Sequence, residues 1–228
     1  MRSAHSSARN HDRYRPREQR EYLVTMTTQV PEGVSQTDIA AVRERETTHS
    51  RRLALEGRLR RLWRPPLQPG EWRSIGLFAA EDETDLEQTL ASMPLRIWRT
   101  DEVAPLGAHP NDPGRDRIAL DLARTEFLTT LTVAVPPATS ADVAATTARE
   151  AARARELAAE GTLLRLWTLP GPGRVLGHWQ ASSRERMEDI VRSLPMADWL
   201  DVDTLQLTRH PSDPASAARH PSGRLSAP

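Results

Sequence analysis

At 228 residues the chain is long enough for one large domain or two small ones, and its formal net charge of zero provides no global field to recruit nucleic acid or an anionic membrane. All 31 basic residues are arginine, a compositional bias to which we attach no function, and the absence of cysteine excludes disulfides, thiolate metal ligands and a cysteine nucleophile. No apolar run approaches the roughly 18 residues of a transmembrane helix, and the polar, Arg-rich N-terminus lacks the apolar centre of a signal peptide. We therefore expect a cytoplasmic protein with neither a membrane nor a nucleic-acid partner.

Residues 1–20 carry Arg, His and Ser without apolar periodicity and read as a disordered tail. Tyr22–Val30 alternates and is rich in Val and Thr, which predicts a strand ended by Pro31 and Gly33. Ser35 and Asp38 form an S-x-x-D helix start, and the helix runs to about Gly57, a fitting residue for the C′ position. Leu59–Arg64 and Trp72–Ala79 are the next strands. A second helix over Thr84–Met93 places Leu86, Leu90 and Met93 on one face. Val103–His109 is a fourth strand, although Pro105 removes a ladder donor within it. Residues 111–124, which open with a turn cluster, read as a linker, and residues 213–228 as a second disordered tail.

The whole pattern then recurs. Glu21-Tyr-Leu-Val-Thr-Met-Thr matches Glu126-Phe-Leu-Thr-Thr-Leu-Thr, and EGRLRRLW (Glu56 to Trp63) matches EGTLLRLW (Glu160 to Trp167). Met93-Pro94 matches Leu194-Pro195, and His109-Pro110 matches His210-Pro211, the His lying 15 residues after the earlier Pro in both copies. Thr139 with Asp142 repeats the helix start and Gly161 the stop. Ordered matches at fixed spacings identify a tandem duplication, with domains over 21–110 and 125–212. Each copy reads βαββαβ, the α+β, ferredoxin-like arrangement of an antiparallel four-stranded sheet with helices on one face. Such a unit leaves its other sheet face bare, so the two copies should pack sheet to sheet, like the halves of a dimeric α+β barrel.

One residue is out of place on the first helix. Ile39, Val42, Glu46, His49 and Leu53 recur at spacings of 3 and 4 and should face the sheet. The second copy repeats an inward acid at Glu150, within the stripe Val143, Thr146, Glu150, Arg153 and Leu157. Each Glu lies 17 residues before its Trp. A partly buried carboxylate has its neutral form favoured, so its pKa moves toward the operating range of a base that removes and returns a proton. The plainer alternative is a structural carboxylate paired to an Arg. His49 reads as packing or as a partner of Glu46.

The inward Glu, the EG-x-L-x-R-L-W segment, the Leu/Met-Pro after the second helix and the terminal His-Pro together resemble muconolactone Δ-isomerase, over nearly all of both domains. The resemblance implies the same fold and association through sheets into a homo-oligomer. It also implies a cofactor-free 1,3-proton shift that moves the double bond of a small carboxylated lactone, in aromatic-compound catabolism. Glu46 and Glu150 would then be catalytic, with His109 and His210 as further proton-transfer candidates. Arg61 and Arg165 would grip the substrate carboxylate or stabilise the dienolate. Trp63 and Trp167 would wall the lactone pocket, with Arg64, present only in the first copy, as another substrate-binding candidate. Surface exposure for the Arg, core packing for the Trp and a turn or subunit contact for the His remain open. So do another enolisable-substrate enzyme of this fold (cyclase, dehalogenating or oxygenase type) and a non-catalytic small-ligand binder or scaffold. No phosphate loop, dinucleotide fingerprint, H-E-x-x-H or nucleophile elbow is present, so we expect neither metal nor organic cofactor.

Overall fold

The computed structural model describes residues 19–114, 120–137 and 139–217. The first copy comprises β1 (Arg20–Thr28), α1 (Gln36–Leu55), β2 (Leu59–Arg64), β3 (Arg73–Ala80), α2 (Glu83–Ala91) and β4 (Arg99–Ala108), with a 3-10 turn over Pro94–Trp98. The second copy repeats this as β5 (Thr125–Val133), α3 (Ser140–Ala159), β6 (Leu163–Thr168), β7 (Arg174–Ala181), α4 (Arg184–Arg192) and β8 (Leu200–Arg209), followed by a short α5 (Pro214–Ala217). The tails expected over 1–20 and 213–228 lie largely outside the described residues. No helix among the described residues is long and apolar enough to cross a membrane.

The helix boundaries follow their caps. The Ser35 hydroxyl accepts the Asp38 N–H at 3.1 Å, and Thr139 does the same for Asp142 at 3.2 Å. At the other end Gly57 and Gly161 adopt φ of +70° and +67°, which lets the Arg58 and Thr162 N–H groups reach back to Leu53 and Leu157 carbonyls. Along β1, Tyr22, Val24 and Met26 pack outward under α1 and α2, while Leu23 packs inward.

Each half has strand order β2-β3-β1-β4 or its counterpart β6-β7-β5-β8, antiparallel throughout. The halves then join edge to edge. β2 meets β8 (Trp63↔Arg209, Arg64↔Thr208) and β4 meets β6 (Gly107↔Thr168, Ala108↔Trp167), closing one eight-stranded barrel. Three cores result: one beneath the helices of each half, and one inside the barrel that contains Trp63, Leu77, Leu128, Trp167 and Leu176. Pro105 is tolerated because β4 meets β6 only at Gly107 and Ala108, so at Tyr22↔Pro105 it has a neighbour on one side only.

Strands β2 and β6 each contain a bulge. Leu59 pairs with Phe78 and Arg61 with Leu77, so Arg60 is the extra residue; Leu164 is its counterpart. The bulge reverses the side-chain alternation. Leu59 and Leu62 both pack outward, and Trp63 turns into the barrel.

Candidate active sites

A cleft of about 330 Å3 lies between α1, the outer face of the first sheet and the 3-10 turn after α2. Its lid comes from the other copy, as His210-Pro211-Ser212. Glu46 faces this cleft from α1. Its Oε2 accepts the Leu95 N–H at 2.9 Å, and the Arg99 guanidinium lies 3.6 Å from Oε1. Burial raises the Glu46 pKa above the usual carboxylate range; the Leu95 bond and Arg99 oppose this, and Asp101 adds to it. Arg99 is itself bidentate to Asp101, at 2.6 and 2.9 Å, so its charge is largely engaged elsewhere.

The His210 ring is held by its own loop. Nδ1 accepts the Ser212 N–H at 3.1 Å, and the His210 N–H donates to the Leu62 carbonyl at 3.0 Å. Burial, reinforced by Arg64 and Arg43, lowers its pKa to about 4. At neutral pH the ring is therefore uncharged, and a Nδ1 that accepts assigns the proton to Nε2. Arg43 lies over the Trp72 ring at 4.3 Å, and Arg43, Arg51 and Arg64 all line the cleft. None of these three arginines has a carboxylate at ion-pair distance among the described residues.

The second copy forms the equivalent cleft, about 320 Å3, with His109-Pro110-Asn111 of the first copy as its lid. Glu150 Oε2 accepts the Met196 N–H at 3.0 Å, and burial raises its pKa as it does for Glu46. His109 Nδ1 accepts the Asn111 N–H at 3.1 Å, and burial lowers its pKa against the pull of Asp112. The walls differ sharply. Thr147, Thr168, Val175 and Leu200 stand where the first copy has Arg43, Arg64, Ser74 and Arg99. Both clefts are thus composite, and only the first is cationic.

Four of the substrate-binding candidates lie elsewhere. Arg61, Trp63, Arg165 and Trp167 do not line either cleft; the β-bulges turn them into the barrel. There Arg61 is bidentate to Asp213 and donates to Glu126 at 2.9 Å, while the Trp63 indole N–H donates to Glu126 at 3.1 Å. The symmetric set links Arg165 to Asp112 at 3.1 Å and to Glu21 at 2.8 Å, with the Trp167 indole N–H on Glu21 at 2.8 Å. An arginine so engaged has no free donor pair for a substrate carboxylate. His49 is likewise no partner of Glu46: its Nε2 meets the Ser92 hydroxyl at 2.9 Å.

The aspartates went unread in the sequence. Asp213 Oδ1 also accepts the Leu62 N–H at 3.0 Å, and Asp112 Oδ1 the Leu166 N–H at 2.9 Å. Each one therefore fastens its His-Pro loop to the opposite half. The sequence assigned them to a tail and a linker, yet Asp213 is 1% exposed. Their signal was a repeated His-Pro-x-Asp, at His109–Asp112 and His210–Asp213.

Geometry and connectivity define two fused ferredoxin-like units that share one barrel and lend each other a lid. The family model of muconolactone delta-isomerase matches the chain twice, over residues 20–112 and 125–213, and the chain belongs to that family as a tandem duplication of its domain. No curated protein sequence matches the chain. Among solved structures, the chain is similar to a mutant chlorite dismutase from Candidatus Nitrospira defluvii, with 12% identity, a TM-score of 0.59, and coverage of 84% of this chain and 92% of that one. It is also similar to a heme-binding protein from Thermus thermophilus, with 9% identity, a TM-score of 0.53, and coverage of 90% and 99%. At these identities the likeness is one of fold, and the family membership is what supports an isomerase.

Proposed function

We propose that the first cleft is the catalytic one and that the chain is a cofactor-independent isomerase, shifting a double bond by 1,3-proton transfer in a small carboxylated lactone such as muconolactone. The observation that carries this reading is a desolvated carboxylate, Glu46, in the same cleft as three arginines without acidic partners among the described residues. In the reaction Glu46 takes a proton from the ring carbon γ to the lactone carbonyl, joined to it through the carbon–carbon double bond. The C–H electron pair passes into a dienolate, whose oxygen meets the Nε2–H of neutral His210. The Glu46 carboxylic acid then returns the proton to the far carbon of the allylic unit. Base and proton are regenerated, and the step balances without a co-reactant. Arg43 and Arg64 hold the carboxylate arm. Arg61 and Asp213 act through His210, as positioning residues.

Turnover of muconolactone, followed by ultraviolet absorbance, tests this in wild type, Glu46→Gln and Glu150→Gln. We expect wild-type turnover, a loss of about 10²–10⁴-fold in Glu46→Gln, as for removal of a general base, and little change in Glu150→Gln. Turnover that survives Glu46→Gln removes this carboxylate from the mechanism. No turnover by folded wild type rejects muconolactone and directs the search to other enolisable anions.

A further inference from the structure

The second cleft departs from the first in a consistent direction. Its volume is kept, about 320 against 330 Å3, although its walls have changed. A relic free to drift in a close-packed protein would be expected to collapse or fill. Instead four polar wall positions became smaller or apolar, Thr147 for Arg43, Ala154 for Ser50, Val175 for Ser74 and Leu200 for Arg99, and Arg155, the counterpart of Arg51, does not line the cleft. Trp179 adds a ring whose indole N–H is already used by the Thr129 hydroxyl at 2.8 Å, so it offers the cleft an apolar face and no donor.

Glu150 and His109 are the two titratable groups against this wall, beside the Asn111 amide and the Thr147 hydroxyl, which donates to the Val143 carbonyl at 2.9 Å. Glu150 makes one hydrogen bond, to the Met196 N–H, through Oε2, and His109 has Nδ1 occupied by the Asn111 N–H, which leaves its Nε2 as the donor. A carboxylate ligand would meet Glu150 here with no arginine to offset the repulsion, and would lose its hydration against Leu, Val and Trp side chains. We infer that the second cleft is a separate binding site for an uncharged, apolar small molecule carrying a carbonyl or similar acceptor for His109. The ligand shape is set by apolar walls, its orientation by one hydrogen bond, as small-molecule sites of this size usually are.

Two fluorescent probes with the same ring systems separate the possibilities: neutral N-phenyl-1-naphthylamine and anionic 8-anilino-1-naphthalenesulfonate. Each is titrated into the full chain, wild type and Thr147→Arg/Thr168→Arg, which grafts two first-cleft arginines onto the second. Thr147 is exposed on α3, and Thr168, half-buried with its hydroxyl against Gly107, holds the strand position of Arg64. We expect the neutral probe to bind wild type at one site, to be insensitive to muconolactone, and to weaken at least about tenfold in the graft as charge enters the apolar wall. The anionic probe should gain in the graft what the neutral one loses. Failure of the neutral probe to bind wild type, unchanged binding in the graft, or displacement by muconolactone would each overturn the inference. Muconolactone turnover, which the graft should leave unchanged, is read separately, so failure of the isomerase proposal remains distinguishable.

Discussion

At the residue scale the decisive feature is an acid on an apolar helix stripe. Desolvation favours the neutral form of Glu46, so the base form needs a higher pH than an exposed glutamate does. The acid limb of kcat/KM should therefore fall at a pH above the ordinary 4.5 of a Glu carboxyl. Arg99, at 3.6 Å, stabilises the carboxylate and holds that limb down. Arg99→Leu, which copies Leu200 of the second half, removes this pull and leaves Asp101 to repel, so both effects raise the Glu46 pKa. The pH–rate profile should shift to higher pH; a shift to lower pH would contradict the assignment of the limb to Glu46. Arg43→Ala tests the anion anchor: KM should rise about tenfold to a hundredfold, the loss of one charge-assisted contact of roughly 1.5–3 kcal/mol, with kcat little changed. Glu46 was legible because the stripe made it anomalous and the second copy repeated it. Arg43 was not, because one arginine among 31 has no distinguishing neighbour in sequence; it stands out only once its counterpart, Thr147, is seen in the equivalent cleft.

At the element scale a single extra residue in β2 and in β6 decides what the neighbouring arginine does. Without the bulge, Arg61 would follow Leu59 on the outward face, near the cleft; with it, Arg61 enters the barrel and meets Asp213. That ion pair fastens the His210 loop to β2, with the Asp213 side chain 0% and that of Arg61 12% exposed. Asp213→Asn should destabilise the fold, by less than the about 3–5 kcal/mol of an orphaned buried charge, because the Arg61 guanidinium loses one of its two carboxylate partners and keeps Glu126. It should also lower kcat more than it raises KM, since His210 is displaced while Arg43 and Arg64 remain. The double variant Arg61→Met/Asp213→Leu should recover most of the stability in thermal unfolding but little of the kcat. Recovery of both would mean the loop needs no ionic fastening. Strand and helix positions were legible to within a few residues, since period-2 and period-3.6 patterns and the Ser35, Thr139, Gly57 and Gly161 caps are local signals. The bulge was not, because Arg60 and Leu164 share no chemistry that marks the extra residue of a bulge.

At the scale of the whole molecule, the duplication puts both halves of one closed barrel in a single chain. β2–β8 and β4–β6 pairing closes the barrel within the chain, with only the last two residues of β8 and of β4 forming the two seams. The sequence implied that two sheets meet; which edges join depends on the bulged register and the lid loops, neither of which is a local pattern. Closure also buries charge at the centre. The Glu126 side chain lies 1% exposed among Arg61, Arg209 and His178, and this company holds its carboxyl well below its ordinary value despite burial. His178, where the first half has Leu77, sits edge-on to Trp63 at 5.1 Å, and burial lowers its pKa below 6.5. Both groups take up protons more readily in the unfolded chain than in the native one. The stability from His178 is thus complete above pH 6.5 and is lost as pH falls through its lower native pKa; that from Glu126 is complete above 4.5 and lost below it. Glu46 and Glu150, whose native pKa values are raised, act in the opposite sense, losing stability as pH rises through 4.5, so the total is best read by difference. His178→Leu, copying Leu77, should remove up to about 1.4 kcal/mol per pH unit from the slope of stability below pH 6.5. Thermal unfolding between about pH 7 and 4 should therefore show wild-type stability falling more steeply with acid than that of the variant. Parallel curves would mean that His178 is already protonated in the native barrel, in a full ion pair with Glu126.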